Sequence, residues 1–248
     1  MLCTVHSRRV PMESQLPVVS FCFDDFPRTA LSAGGSILRA FGAHGTYYAA
    51  LGLINSSNEL GDQLRTADID NLLSDGHELG SHTFSHSSCR SIPGTEFEKD
   101  VLRGRDAIQA LTGCDASDFA FPYGHVTLES KKRLGRQMNS CRGIYSGINE
   151  SPIDLNLLRA NSLYGDVDQF ARAESLLAEN EKLGGWLIFY THDVRREPSP
   201  FGCTPDLLDK IVARTVEKRF RIAPVGETVR QAARSMNPLS MQNTSHWP

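Results

Sequence analysis

The sequence predicts an α/β fold, a single domain closed into a TIM-like (β/α)7-8 barrel. Three observations carry this expectation. Short apolar runs alternate with amphipathic stretches along the 248 residues, the rhythm of a parallel sheet with helical crossovers. The first apolar run, residues 16–23, is rich in Val and Phe and reads as a strand buried on both faces. Seven or eight such units in a chain of this length favour closure over an open doubly wound sheet, and no G-x-G-x-x-G follows the first strand.

The elements follow in order. Residues 1–15 read as a loose arm, 16–234 as the barrel, and 235–248 as a polar tail. After the strand at 16–23, residues 29–42 present Leu31, Ile37, Leu38 and Phe41 on one helical face. Residues 45–50 are rich in strand formers. A helix opens at Thr66, expected as its N-cap, and ends near Gly76. Residues 77–82 form a third strand, 95–111 a helix carrying Phe97, Val101, Leu102 and Ile108, and 118–121 a fourth strand. Helix 127–138, strand 141–145, a weakly strand-like stretch at 157–162 and helix 168–183 come next. Strand 186–191, helix 205–219, strand 220–224 and a helix from Glu227 complete the alternation.

Composition narrows the function. A net charge of -3 without runs of like charge argues against nucleic acid as a partner. No apolar stretch is long enough to span a membrane. The N-terminus lacks the apolar segment of a secretory signal, so a cytoplasmic location is expected. The six cysteines form no C-x-x-C pair and are expected as reduced, mostly buried thiols. Oligomeric state is not legible in the chain.

In a βα barrel the chemistry sits where strands end. Asp24 and Asp25 end the first strand, His82 and His86 follow the third, Pro122-Tyr123-Gly124 the fourth, and His192-Asp193 the strand at 186–191. Two aspartates closing a buried strand need a compensating cation. His82 and His86, four apart, face one way on a helical turn. With one aspartate they make a ligand set for a divalent ion with positions left open. Read structurally instead, an aspartate would cap the following helix and the histidines would be satisfied core residues. The coincidence of all four at strand ends favours a site.

Phe23-Asp24-Asp25, His82-Thr83-Phe84-Ser85-His86, Phe121-Pro122-Tyr123 and Thr191-His192 resemble, in order, the motifs of the polysaccharide deacetylase family, also called the NodB-homology or carbohydrate esterase 4 group. The resemblance spans about residues 17–225. It implies a distorted (β/α) barrel and metal-dependent hydrolysis of N-acetyl groups on an amino sugar, oligosaccharide or polysaccharide. It implies Asp25, His82 and His86 as ligands of a divalent metal, zinc first, with cobalt, nickel or iron as alternatives. It further implies Asp24 as general base, His192 as general acid and the Tyr123 backbone N–H as an oxyanion donor, its turn set by Pro122. An amide needs all of these, being a poor electrophile with a poor leaving group.

Three features depart from the family's pattern. Where relatives carry an arginine two residues before the third motif's proline, this chain has Ala120. Arg159 is expected to replace it as the catalytic aspartate's partner, with Arg142 as second candidate. Tyr190 stands where relatives often have leucine near the acyl pocket, and Asp166 and Asp168 lack the tryptophan of the fourth motif. Hydrolysis of a non-sugar amide, or carbohydrate binding without turnover, are the alternative functions.

Overall fold

The computed structural model describes residues 2–12 and 14–235. Among the described residues there are twelve strands: β1 (Arg9–Val10), β2 (Val18–Asp24), β3 (Thr46–Ala49), β4 (Ser57–Asn58), β5 (Gly61–Asp62), β6 (Glu78–Ser81), β7 (Asp118–Ala120), β8 (Ser140–Arg142), β9 (Ile153–Asp154), β10 (Asn161–Ser162), β11 (Trp186–Thr191) and β12 (Arg221–Ile222). The α-helices are α1 (Ser36–Ala40), α2 (Thr66–Ser74), α3 (Gly94–Thr112), α4 (Leu128–Leu134), α5 (Phe170–Leu183), α6 (Pro205–Glu217) and α7 (Val225–Ser235). The predicted α/β alternation holds, with most strands shorter than expected. The polar tail expected beyond α7 lies outside the described residues.

One curled parallel sheet organises the chain, in the order β10-β11-β2-β3-β6-β7-β8, with β12 also on β2. β2 lies at its centre and is buried along its whole length. Its residues alternate in the manner of a pleated strand. Val19, Phe21 and Phe23 pack under the surrounding helices. Val18 and Cys22 face the barrel interior with Tyr48, Ala120, Ile188 and Tyr190. Asp24 ends that inward row, which places its carboxylate at the barrel mouth. Small residues in the interior, among them Ala120, Ala160 and Ala223, let the sheet curl tightly.

The stretch predicted as a weak strand at 157–162 completes the curl. Leu158 N–H donates to the Cys141 carbonyl at 2.8 Å and Gly143 N–H to Leu158 at 3.0 Å, tying it to β8. A few residues on, β10 pairs with β11. One continuous segment therefore joins the two ends of the sheet, and the result is the distorted barrel expected.

Other expectations change locally. The arm predicted as loose is pinned: β1 pairs antiparallel with β9. Lys131, fully buried, holds it by donating from Nζ to Leu2 O and to Asp154 Oδ2, both at 2.7 Å. The sequence gives no local sign of this, because the lysine sits about 120 residues away from the arm it holds. Arg65, not Thr66, is the N-cap of α2, since the Asp68 carboxylate reaches back to the Arg65 N–H at 2.7 Å. The helix after β2 begins as a π-helical turn, Ala30–Gly35, before α1. All six cysteines are free.

Candidate active site and metal centre

The strand ends carry the site, and the backbone there is unusual. Asp25, Phe26, Thr83, His86 and Tyr123 all have positive φ, between 56° and 64°. Such conformations cost free energy for residues with a side chain and persist where surrounding structure over-determines them. At the end of β2 the anchors are visible. Phe26 is buried against Tyr47, with ring centroids 5.1 Å apart, and its carbonyl accepts from Leu64 N–H. This turn swings Asp25 into the pocket beside Asp24.

Asp25, His82 and His86 bring one ligand atom each within 4.8 Å of one another. Asp25 Oδ1 lies 2.8 Å from His86 Nε2 and 3.3 Å from His82 Nε2. The tautomer of His82 decides what this contact means. Its Nδ1 is 2.8 Å from the Ala120 carbonyl, which can only accept, so Nδ1 carries the proton. A neutral His82 then aims a bare lone pair at a carboxylate oxygen. Two buried acceptors face each other, and Asp25 Oδ1 has no hydrogen-bond partner. A divalent cation between them satisfies both, and the donor set of two imidazoles and one carboxylate fits it. Burial raises the Asp25 pKa, but the facing His82 and His86 outweigh it and hold the carboxyl well below its usual range.

Asp24 has its own cation. Arg142 Nη2 donates to Asp24 Oδ1 at 2.5 Å, and both side chains are buried. The guanidinium carbon lies 4.9 Å from the Tyr48 ring and 5.1 Å from the Tyr190 ring. Burial works against the Arg142 charge, but Asp24 more than offsets it and holds the group above its ordinary pKa. Arg142 is directly opposite Ala120 in the β7–β8 register. The arginine missing at position 120 is thus supplied from the adjacent strand, over a residue small enough to leave it room.

Arg159, expected in that role, does not reach Asp24. Its Nη1 donates to the Ser146 carbonyl at 2.8 Å, on the outward side of the closing segment. A position near a strand end does not specify the direction of a side chain, and that is where the expectation failed. Period-2 alternation could have found Arg142, since Ala120 and Arg142 occupy corresponding inward positions of adjacent strands.

A cavity of about 430 Å³ opens over these groups. Asp24, Asp25, His82, His86, Tyr123 and His192 all line it. His192 Nδ1 faces the Phe201 carbonyl at 3.1 Å, which leaves Nε2 on the pocket side, 4.0 Å from Asp25 Oδ2. Tyr123 packs its ring 4.7 Å from that of His86. Tyr164 and Tyr190 meet edge to face at 5.6 Å and wall the pocket beside His192. Tyr164, Ile144, Phe201 and the β4–β5 turn had no sequence signal, because loops from distant parts of the chain bring them in. Asp166 lies apart from the pocket and accepts from Asp168 N–H in a local turn.

A curled βα sheet with a histidine-histidine-aspartate cluster at its strand ends is the architecture of a metal-site hydrolase. The chain belongs to the polysaccharide deacetylase family, whose model it matches over residues 13–139. It is a hydrolase of the deacetylase class, and the family implies an acetylated carbohydrate as substrate. Solved structures share the fold. A peptidoglycan deacetylase, PdaC from Bacillus subtilis (the D285S mutant), superposes with TM-score 0.55 at 17% identity, covering 90% of this chain and 94% of that one. The Xyl-CE4 domain of a xylanase from the hindgut metagenome of Trinervitermes trinervoides gives 0.61 at 17%, covering 88% and 92%. A family 4 acetyl xylan esterase from Clostridium thermocellum, in complex with a cobalt ion, gives 0.57 at 20%, covering 86% and 90%. No curated protein sequence matches the chain. Among the described residues no helix is long and apolar enough to cross a membrane.

Proposed function

We propose that this chain removes N-acetyl groups from amino sugars within an oligosaccharide or polysaccharide, with a divalent ion, zinc first, held by Asp25, His82 and His86. The observation that carries the reading is the pair of facing acceptors, His82 Nε2 and Asp25 Oδ1, next to an aspartate that has its own guanidinium. An ion bound there polarises the acyl carbonyl and lowers the pKa of water towards ~7. The two carboxylates divide the remaining work. Asp25 is committed to the ion, while Asp24, steadied by Arg142, takes the proton of the attacking water. His192, fixed by its Nδ1 contact with Phe201 O, delivers a proton from Nε2 to the departing amine. The Tyr123 N–H, held in its strained turn, donates to the developing oxyanion, a contribution of ~2.7 to 4 kcal/mol where such a donor is well placed.

The fold is shared with an acetyl xylan esterase, which favours a second reading, hydrolysis of an O-acetyl ester by the same groups. One experiment separates the two. Bound metal is measured by elemental analysis on wild type and His86→Ala, and acetate release is followed from N-acetylated and O-acetylated oligosaccharides. Stoichiometric metal with acetate from the N-acetylated set, both lost in His86→Ala, is the expected result. Acetate from the esters alone selects the second reading. A folded wild type that binds no metal, or binds it without releasing acetate from either set, overturns both.

A further inference from the structure

The cavity is unevenly charged. Asp24, Asp25 and Glu59 line it, and no lysine or arginine is among its lining residues. Asp24 is paired with Arg142, and Asp25 faces two histidines. Glu59 has no such partner. It stands exposed on the turn between β4 and β5, and its carboxylate forms no ion pair or hydrogen bond among the described residues. Arg195 does touch Glu59, but only at the backbone. Its Nη2 donates to the Glu59 carbonyl at 3.3 Å, and its Nε lies 2.8 Å from Asp193 Oδ2. That guanidinium therefore ties the turn to the residue following His192 and leaves the Glu59 carboxylate free. Around it, Tyr123 and Phe201, 59% and 48% exposed, present bare rings on which the C–H face of a sugar can rest.

We infer that Glu59 selects substrates by charge at the rim. The cleft takes carbohydrate whose ring beside the reacting one is neutral or carries an ammonium, and it rejects carbohydrate with a carboxylate or phosphate at that place. The inference rests on the deacetylase reading of the same cavity. An ion held by Asp25, His82 and His86 places its charge at the floor, beside the reacting acetyl group, whereas Glu59 acts at the rim where a neighbouring ring would lie. An ammonium there gains a charge-assisted hydrogen bond. An anion there meets like charge, and no lysine or arginine lines the cavity to receive it. Deacetylation of an amino sugar itself makes an ammonium. A chain already partly deacetylated is therefore the preferred substrate, and free amines accumulate next to one another.

The test uses metal-loaded wild type, Glu59→Gln and Glu59→Lys. The substrates are N-acetylglucosamine oligosaccharides of one length that differ only on the ring beside the reacting one: an acetamido group, a free amine or a carboxylate-bearing ether. Acetate release gives kcat/KM, and calorimetry gives binding without turnover. Wild type is expected to rank amine above acetamide above carboxylate, over roughly tenfold at low ionic strength, narrowing as salt screens the exposed charge. Glu59→Gln is expected to compress the ranking to about twofold, and Glu59→Lys to reverse it. Equal handling of the three by wild type, the same ranking in Glu59→Gln, or no binding of any of them overturns the inference. Ranked binding without acetate release upholds Glu59 and refutes the deacetylase reading. Acetate release without ranking does the opposite.

Discussion

Replacing Arg142 by alanine tests the centre of the site. The substitution removes the guanidinium 2.5 Å from Asp24 and leaves a carboxylate only 4% exposed without its cation. Breaking a buried ion pair from one side costs about 3–5 kcal/mol. In a chain of this size each kcal/mol lowers the melting temperature by roughly 2–4 °C, so a drop of about 6–20 °C is expected. The catalytic effect is separate. Asp24 keeps its place in the strand but loses the single Nη2 donor that fixes its Oδ1, and misplacement by about 1 Å can cost ~100-fold. The loss should fall on kcat with KM nearly unchanged, because Arg142 is not among the residues lining the pocket. Arg142→Lys should fold better and recover part of the rate, since an ammonium supplies charge but not the planar group that also bonds the Gly143 carbonyl and packs between Tyr48 and Tyr190. The double variant Ala120→Arg with Arg142→Ala returns the guanidinium from the neighbouring strand and should restore turnover above that of Arg142→Ala. Arg159→Ala should leave kcat unchanged, given its contact with Ser146 O. Thermal melts and acetate release measure all four variants. An Arg142→Ala protein with wild-type melting temperature and kcat within about twofold would refute the reasoning.

Two further outcomes are expected. A Cβ at Gly104 would lie 2.6 Å from the Thr83 backbone, so α3 presses directly on the loop carrying His82 and His86. Gly104→Ala should weaken metal binding and lower turnover by about 100-fold while the circular dichroism spectrum stays that of a folded protein; unchanged metal affinity would dissociate the helix from the site. His77 is lowered from 6.5 to about 4 by burial first and by neighbouring His44 next, and its Nδ1 accepts from Gly45 N–H at 3.0 Å. The unfolded chain therefore takes up this proton before the folded one. The stability is complete above pH ~6.5 and is lost as pH falls towards ~4, by up to ~3 kcal/mol. Asp118, raised from 3.8 to about 6 mainly by burial, works in the opposite sense: its contribution is complete below about 3.8 and is lost as pH rises towards about 6. His77→Gln keeps an acceptor for Gly45 and should flatten the acid limb of a denaturant-melt series between pH 6.5 and 4; an unchanged slope would show that His77 is not its source.

Much of the active-site inventory was legible because adjacency and order along the chain mirror adjacency at the barrel mouth. Asp24 and Asp25 are neighbours in sequence, His82 and His86 share one loop, and strands of a parallel sheet all end on the same side. Apolar runs and helical periodicity marked the elements for the same reason: each is a local pattern. What the chain hid is what depends on distant partners. Arg142 reaches Asp24 over 118 positions of sequence, and Lys131 reaches Leu2 over 129. The tautomer of His82 is set by a carbonyl on the next strand, and the free carboxylate of Glu59 by where Arg195 is engaged. Residue types and their spacing determined which chemistry this protein could hold. The curl of the sheet decided which arginine serves the aspartate, because the direction of a side chain follows from strand register and from the space its neighbours leave, and neither is local.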